Sequence, residues 1–260
     1  MERKNAQIIF TLGTKALDFF SHIFEITCLL LQVLRNLPRI YFYRRQVIEQ
    51  FYSVGVASIP LVVMMGIFTG LVTAVQSAYQ FEPTTPQYLV GSVILQTVVI
   101  ELGPVLIALI LSGRIGAGTA AEIGSMKVSG QILALESLAL DPVGFLVMPR
   151  ILAGVIMFPI LVIITDFLAI GSGMLLTTTK MSVTSYDFIR GMRLVFSLHD
   201  IAVGLIKAAF FGFIVTLLGS YFGLNARGGA KGVGFNTTLS VISASSMILV
   251  LDYVVAEIFL

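Results

Sequence analysis

Six polar side chains stand inside long apolar runs: Gln76, Gln96, Glu101, Asp166, Lys207 and Asp252. Such groups can hold a proton, pair across helices or line a polar pathway. On insertion scales an unpaired charge at mid-membrane costs about 2.5–3.5 kcal/mol. Each charge is therefore expected to face a cavity or a partner. Lys207 has two candidate partners, Asp166 and Asp252. Glu101 precedes Gly103-Pro104, and Pro104 offers no amide hydrogen to the carbonyl of Ile100. The helix is thus weakened where this carboxylate sits, and the carboxylate can accept a bond from a freed amide or a facing helix. Glu101, Asp166 and Asp252 in series would also suit a proton relay in a secondary transporter, although the chain has few spans for an inverted repeat.

Other chemistries find no support. No G-x-x-x-x-G-K-[ST] occurs, and GAKGVG at 229–234 follows an apolar helix rather than a strand. Two distant histidines and one cysteine lack metal-ligand spacing. No Ser or Thr has the His and carboxylate company of a nucleophile. The reading is a non-enzymatic chain with no catalytic residue, metal or cofactor. Cys28, being alone, excludes an internal disulfide and reads as a packing residue.

The elements that carry these groups are membrane spans. The chain is 57% hydrophobic and 12% charged, with a mean hydropathy of +0.98, which no soluble class matches. Five spans are predicted at about 53–78, 88–112, 149–177, 201–223 and 235–259. Gly66-x-x-x-Gly70 and Gly219-x-x-x-Gly223 allow close helix approach, within one subunit or between two. Residues 1–50 form a separate segment. Thr11, Lys15, Asp18, His22, Glu25, Gln32 and Asn36 share an arc of roughly 100 degrees, opposite Phe10, Leu17, Phe20, Phe24, Leu31 and Leu34. This predicts an amphipathic helix lying in the interface and ended by Pro38, with the membrane-spanning body at 51–260. There is no tryptophan, so Tyr, Phe and Arg must anchor the interface.

Basic residues set the orientation. Seven Lys/Arg lie in residues 1–50, three in 113–150 and two in 224–235, against three in 178–200 and none in 82–87. That bias places the first three segments in the cytoplasm.

Between the second and third spans, 119–140 is helical but too polar to cross, with Glu122, Lys127, Gln131 and Glu136 interrupting Ile123, Met126, Ile132, Leu135 and Leu138. The small residues Gly113, Gly116 and Gly118 before it call for a bend. Such a surface helix can anchor in lipid or dock into a soluble partner.

The ordered pattern ELGP, GR, TAAEIG-M, Q, DP and PR over 101–150 resembles the MlaE-type permease family of lipid ABC transporters. The likeness is dense there and looser across nearly the whole chain. One departure is Ile100, where relatives often carry a basic residue. The resemblance implies that 119–140 is a coupling helix gripped by an ATP-binding subunit, through Arg114, Glu122, Ile123, Gly124, Met126, Gln131 and Asp141. It further implies a homodimer in the bacterial inner membrane, a periplasmic MCE-domain partner and a small cytoplasmic accessory subunit. The cargo would be phospholipid, held between two copies by Thr73, Gln76, Tyr79, Phe81 and Leu249, with Glu101, Gly103 and Pro104 at a gate. Nothing in the pattern points to nucleic acid. The expected fold is an all-α polytopic membrane protein, with an interfacial helix, five spans and a cytoplasmic coupling helix.

Overall fold

A computed structural model describes residues 2–81, 86–181 and 183–259, without the side chains of 2–16, 18 and 19. The expectations for Phe10, Thr11, Lys15 and Asp18, and for most of the 82–87 loop, lie outside the described residues. All regular structure among the described residues is helical. Eleven α-helices follow in order: α1 Glu2–Asn36, α2 Arg44–Val54, α3 Ile59–Gln80, α4 Leu89–Thr97, α5 Gly103–Leu111, α6 Ala117–Val128, α7 Gln131–Ser137, α8 Met148–Lys180, α9 Ser185–Val195, α10 Leu198–Leu224 and α11 Gly229–Phe259. Five helical stretches are long and apolar enough to cross a membrane: Arg44–Gln80, Leu89–Val128, Val143–Lys180, Leu198–Leu224 and Gly229–Phe259.

The second stretch runs further than its apolar residues predict. α4, α5 and α6 are joined by π-helical turns at Val98–Leu102 and Ser112–Gly116, making one rod instead of a span followed by a break. The cause of the first turn is local. Pro104 cannot donate, so the backbone widens by one residue just before it. The second lies in the small-residue run Ser112-Gly113-Arg114-Ile115-Gly116, where a bend was expected.

The surface helix expected over 119–140 is divided. Its first half, α6, continues the second span and buries Thr119, Ala120, Ile123 and Gly124 against α10 and α11. The chain then turns at Ser129-Gly130, with Gly130 at φ 78°, and α7 follows as a separate short helix. Glycine accepts that left-handed geometry without a Cβ clash.

Both GxxxG motifs pack inside this one chain. Gly66 and Gly70 meet Thr165 and Ala169 of α8, whereas Gly219 and Gly223 meet Thr119 and Ile123 of α6. The main core joins the inner faces of α3, α5, α8, α10 and α11 around Phe158, Phe211, Val62, Ile107 and Ile248.

α1 presents Leu17, Phe24, Leu31 and Leu34 outward and packs Leu29 and Val33 against Tyr43, Val147 and Tyr221. Its polar arc is turned to protein as much as to water. The Tyr221 hydroxyl accepts from His22 Nδ1 at 2.5 Å and donates to Glu25 Oε2 at 2.6 Å. At the far end, Asn36 Nδ2 donates to Asp141 Oδ2 at 2.5 Å. With polar partners at its own depth, the helix gains hydrogen bonds on one face and leaves apolar surface on the other. That division suits a helix half-sunk at a membrane surface.

Candidate functional site

The intramembrane charges converge on Lys207. Its ammonium is fully buried on α10 and lies 2.8 Å from Glu101 Oε2 and 2.7 Å from Asp252 Oδ1. Three elements supply the cluster: the π turn before α5 for Glu101, α10 for Lys207 and α11 for Asp252. The π turn is what aims Glu101, since one extra residue in the turn rotates the helix face that carries it. Glu101 remains half-exposed (46%), while Asp252 is nearly enclosed (14%). One ammonium lies between two carboxylates, hydrogen-bonded to Glu101 and ion-paired with Asp252, and it ties the second, fourth and fifth spans at one depth.

The pairing of Lys207 with Asp252 follows the sequence expectation, and Glu101 joins as a partner that expectation lacked. Asp166 does not join. Its Oδ1 is buried without a hydrogen-bond partner, against Gly103 at the start of α5. A side chain at position 103 would occupy the place of that oxygen, so Gly103 is what admits Asp166. Gly103 and Pro104 are themselves buried.

The residues expected at an ATPase contact separate into two groups. Ile123 is fully buried and Gly124 packs against Ala226 and Val233, so both serve the fold and neither offers a surface. Asp141 caps the backbone amide of Val143 and binds Asn36, which occupies its carboxylate. Glu122 reaches inward to Arg150 at 2.8 Å, and Arg150 is only 4% exposed. Arg150 also donates to the Leu146 carbonyl at 2.6 Å, so its guanidinium is held on two sides. Arg114 bonds the Ser58 hydroxyl and the Ser53 carbonyl, gripping the break between α2 and α3. Arg114 and Glu122 therefore link this region to the first and third spans. What it offers outward is Gln131 together with Val128, Leu133 and Leu138, while Met126 is half-buried. Leu133 and Leu138 are 66% and 71% exposed, with exposed Glu136 between them in the chain. Both leucines therefore stand outward, Leu133 on α7 and Leu138 just after it.

The expected cargo residues lie mostly on outward faces. Gln76, Tyr79 and Leu249 are exposed, with Tyr79 at 92%. Thr73 is buried, and its hydroxyl is spent on the Thr69 carbonyl. Phe81 packs beside the cluster of Ala74, Val90 and Phe188. Closing a cleft over Gln76, Tyr79 and Leu249 requires a second surface.

Fold and charges together define a multi-pass, all-α membrane protein whose second, fourth and fifth spans meet at an intramembrane ionic knot. The family described as Permease MlaE matches residues 47–258. A Rickettsia felis protein named "Probable ABC transporter permease protein" is 33% identical over 249 residues, 96% of each chain. A Rickettsia typhi protein of the same kind is 38% identical over 215 residues, 83% of each chain. The Haemophilus influenzae "Intermembrane phospholipid transport system permease protein MlaE" is 32% identical over 251 residues, again 96% of each chain. This chain belongs to the MlaE permease family of ABC transporters.

Proposed function

We propose that this chain is the membrane subunit of an ATP-driven phospholipid transporter in the bacterial inner membrane. The similarity to the Haemophilus phospholipid permease along 96% of both chains carries the reading. An ABC permease needs an ATP-binding partner, and the exposed face of α7 with the end of α6 is the surface best suited to receive it. Arg114 and Glu122 then pass movement of that surface to the first and third spans.

Two copies of the chain would close a cleft over the outward residues Gln76, Tyr79 and Leu249 and enclose the lipid. On the opposite membrane face, the assembly would deliver lipid to or from a periplasmic MCE-domain protein and so maintain outer-membrane lipid asymmetry. A small accessory subunit would bind on the cytoplasmic side. A proton relay through Glu101 and Asp252 fits less well, because Lys207 already bridges the two carboxylates.

Purification of the chain with subunits encoded beside it tests the reading. The expected result is an assembly with two copies of this chain and two ATP-binding subunits, carrying phospholipid identified by mass spectrometry. A chain that isolates with neither an ATPase nor phospholipid would overturn it.

A further inference from the structure

The polar arc of α1 borders open clefts, and one of them joins charged walls to an apolar one. It lies between α1, the last turn of α10 and the first turns of α11, and has a volume of about 430 Å³. That size falls within the range of small-ligand sites. Asn225, Arg227 and Asn236 supply donors, Phe235 and Leu239 supply apolar surface, and Glu25 supplies a carboxylate from the α1 side. Two spanning helices end here beside the interfacial helix, so the cleft sits where lipid headgroups meet acyl chains.

Arg227 is exposed and enters no ion pair among the described residues. Its backbone is nonetheless fixed. Ala226 is buried beside it, its amide bonded to Gly223, and Gly228 and Gly229 turn the chain sharply at φ 81° and 72°. A guanidinium held on a fixed turn suits a phosphate, which it can grip with two parallel bonds. Opposite, Glu25 is half-exposed and engages the Tyr221 hydroxyl through Oε2. The same oxygen also meets Asn225 Nδ2 at 3.5 Å, and the carboxylate lines the cleft. Phe235, 65% exposed, leads from the polar walls toward the membrane.

We propose that this cleft binds an amine-bearing phospholipid, its phosphate on Arg227 and its ammonium on Glu25, with acyl chains leaving past Phe235 and Leu239. A glycerol headgroup carries the same phosphate but brings no cation to Glu25, so the pairing of opposite charges favours the amine. The site goes beyond the transport reading and does not depend on it, since a bound lipid here need not be the one moved.

A photoreactive phosphatidylethanolamine, added to the full chain purified in mild detergent, tests the site. Cross-links mapped by peptide mass spectrometry should fall on residues 222–239. Unlabelled phosphatidylethanolamine should compete, whereas phosphatidylglycerol and inorganic phosphate should compete poorly. Arg227→Gln should reduce these cross-links about tenfold, as loss of a charge-assisted bond predicts. Glu25→Gln keeps an acceptor for Tyr221 and should let phosphatidylglycerol compete equally. Cross-links elsewhere in the chain, unchanged in both variants, show that the fold is intact. Undiminished labelling of 222–239 in Arg227→Gln, or equal competition by the two lipids in the unaltered chain, overturns the proposal. Efficient competition by inorganic phosphate would do the same, since the site would then hold a free anion.

Discussion

At the scale of single residues, the ionic knot at Lys207 is the feature that most constrains the spans. A buried ammonium is tolerated because two carboxylates meet it at 2.8 and 2.7 Å. Taking away the ammonium leaves two anions facing each other in an apolar setting, a loss on the order of 3–5 kcal/mol. Lys207→Met should therefore lower thermal stability in detergent strongly, and Asp252→Asn should do so less because Glu101 still neutralises the lysine. The double variant Lys207→Met with Glu101→Gln should recover part of the loss, since one of the stranded charges is gone. Thermal unfolding of the four proteins checks this. Equal melting in Lys207→Met and the unaltered chain would mean that the charges are solvated separately.

The charged residues were legible in sequence as expensive groups needing partners, and Asp252 was among the partners expected for Lys207. Depth explains that success. Lys207 lies nine residues into α10 and Asp252 seven before the end of α11, about 10–14 Å from the same membrane face at 1.5 Å per residue. The part played by Glu101 was hidden by the π turn, which rotates its side chain away from the direction that regular α-helical periodicity gives. Asp166 matched no partner for a related reason. Its place is set by Gly103 across a close helix contact, and local spacing carries no trace of such a contact.

At the scale of elements, the α6–α7 segment shows how burial separates residues that a shared pattern groups together. Ile123 and Leu133 belong to the same apolar periodicity, yet Ile123 is inside and Leu133 is outside, because Gly130 reverses the chain between them. Exposure therefore reassigns the test of the coupling surface. Leu133→Asp should abolish co-purification of the ATP-binding subunit while membrane levels of the chain stay normal. Glu122→Lys should act differently. It sets a cation beside buried Arg150, so membrane levels or melting temperature should fall along with association. Immunoblotting of membranes and of affinity-purified material reads both effects. Full ATPase association with Leu133→Asp would place the contact elsewhere. The five spans themselves were readable from length and hydropathy, but α7 was not separable from α6 because a single glycine carries the break.

At the scale of the whole molecule, the Lys/Arg bias predicts which side each loop occupies. The Lys/Arg distribution puts Ser125 and Gln87 on opposite faces of the membrane. In a Cys28→Ser background, Gln87→Cys should react with a membrane-impermeant maleimide added to spheroplasts, and Ser125→Cys should react only after permeabilisation. Reaction of both from outside would invert or break the five-span arrangement. The outward apolar stripes of α3, at Met64, Phe68, Val72, Val75 and Tyr79, and of α11, at Ile242, Leu249 and Tyr253, belong to this scale too. In the proposed assembly, lipid and a second copy would cover these surfaces.

In the proposed transporter, energy entering at α7 moves phospholipid past these stripes. Reconstituting the chain with its ATP-binding subunit in proteoliposomes, and following a fluorescent phospholipid as it passes to or from acceptor vesicles, measures that claim directly. Movement should require ATP hydrolysis and be lost in Leu133→Asp. Vigorous ATP hydrolysis with lipid movement no faster than in its absence would contradict it.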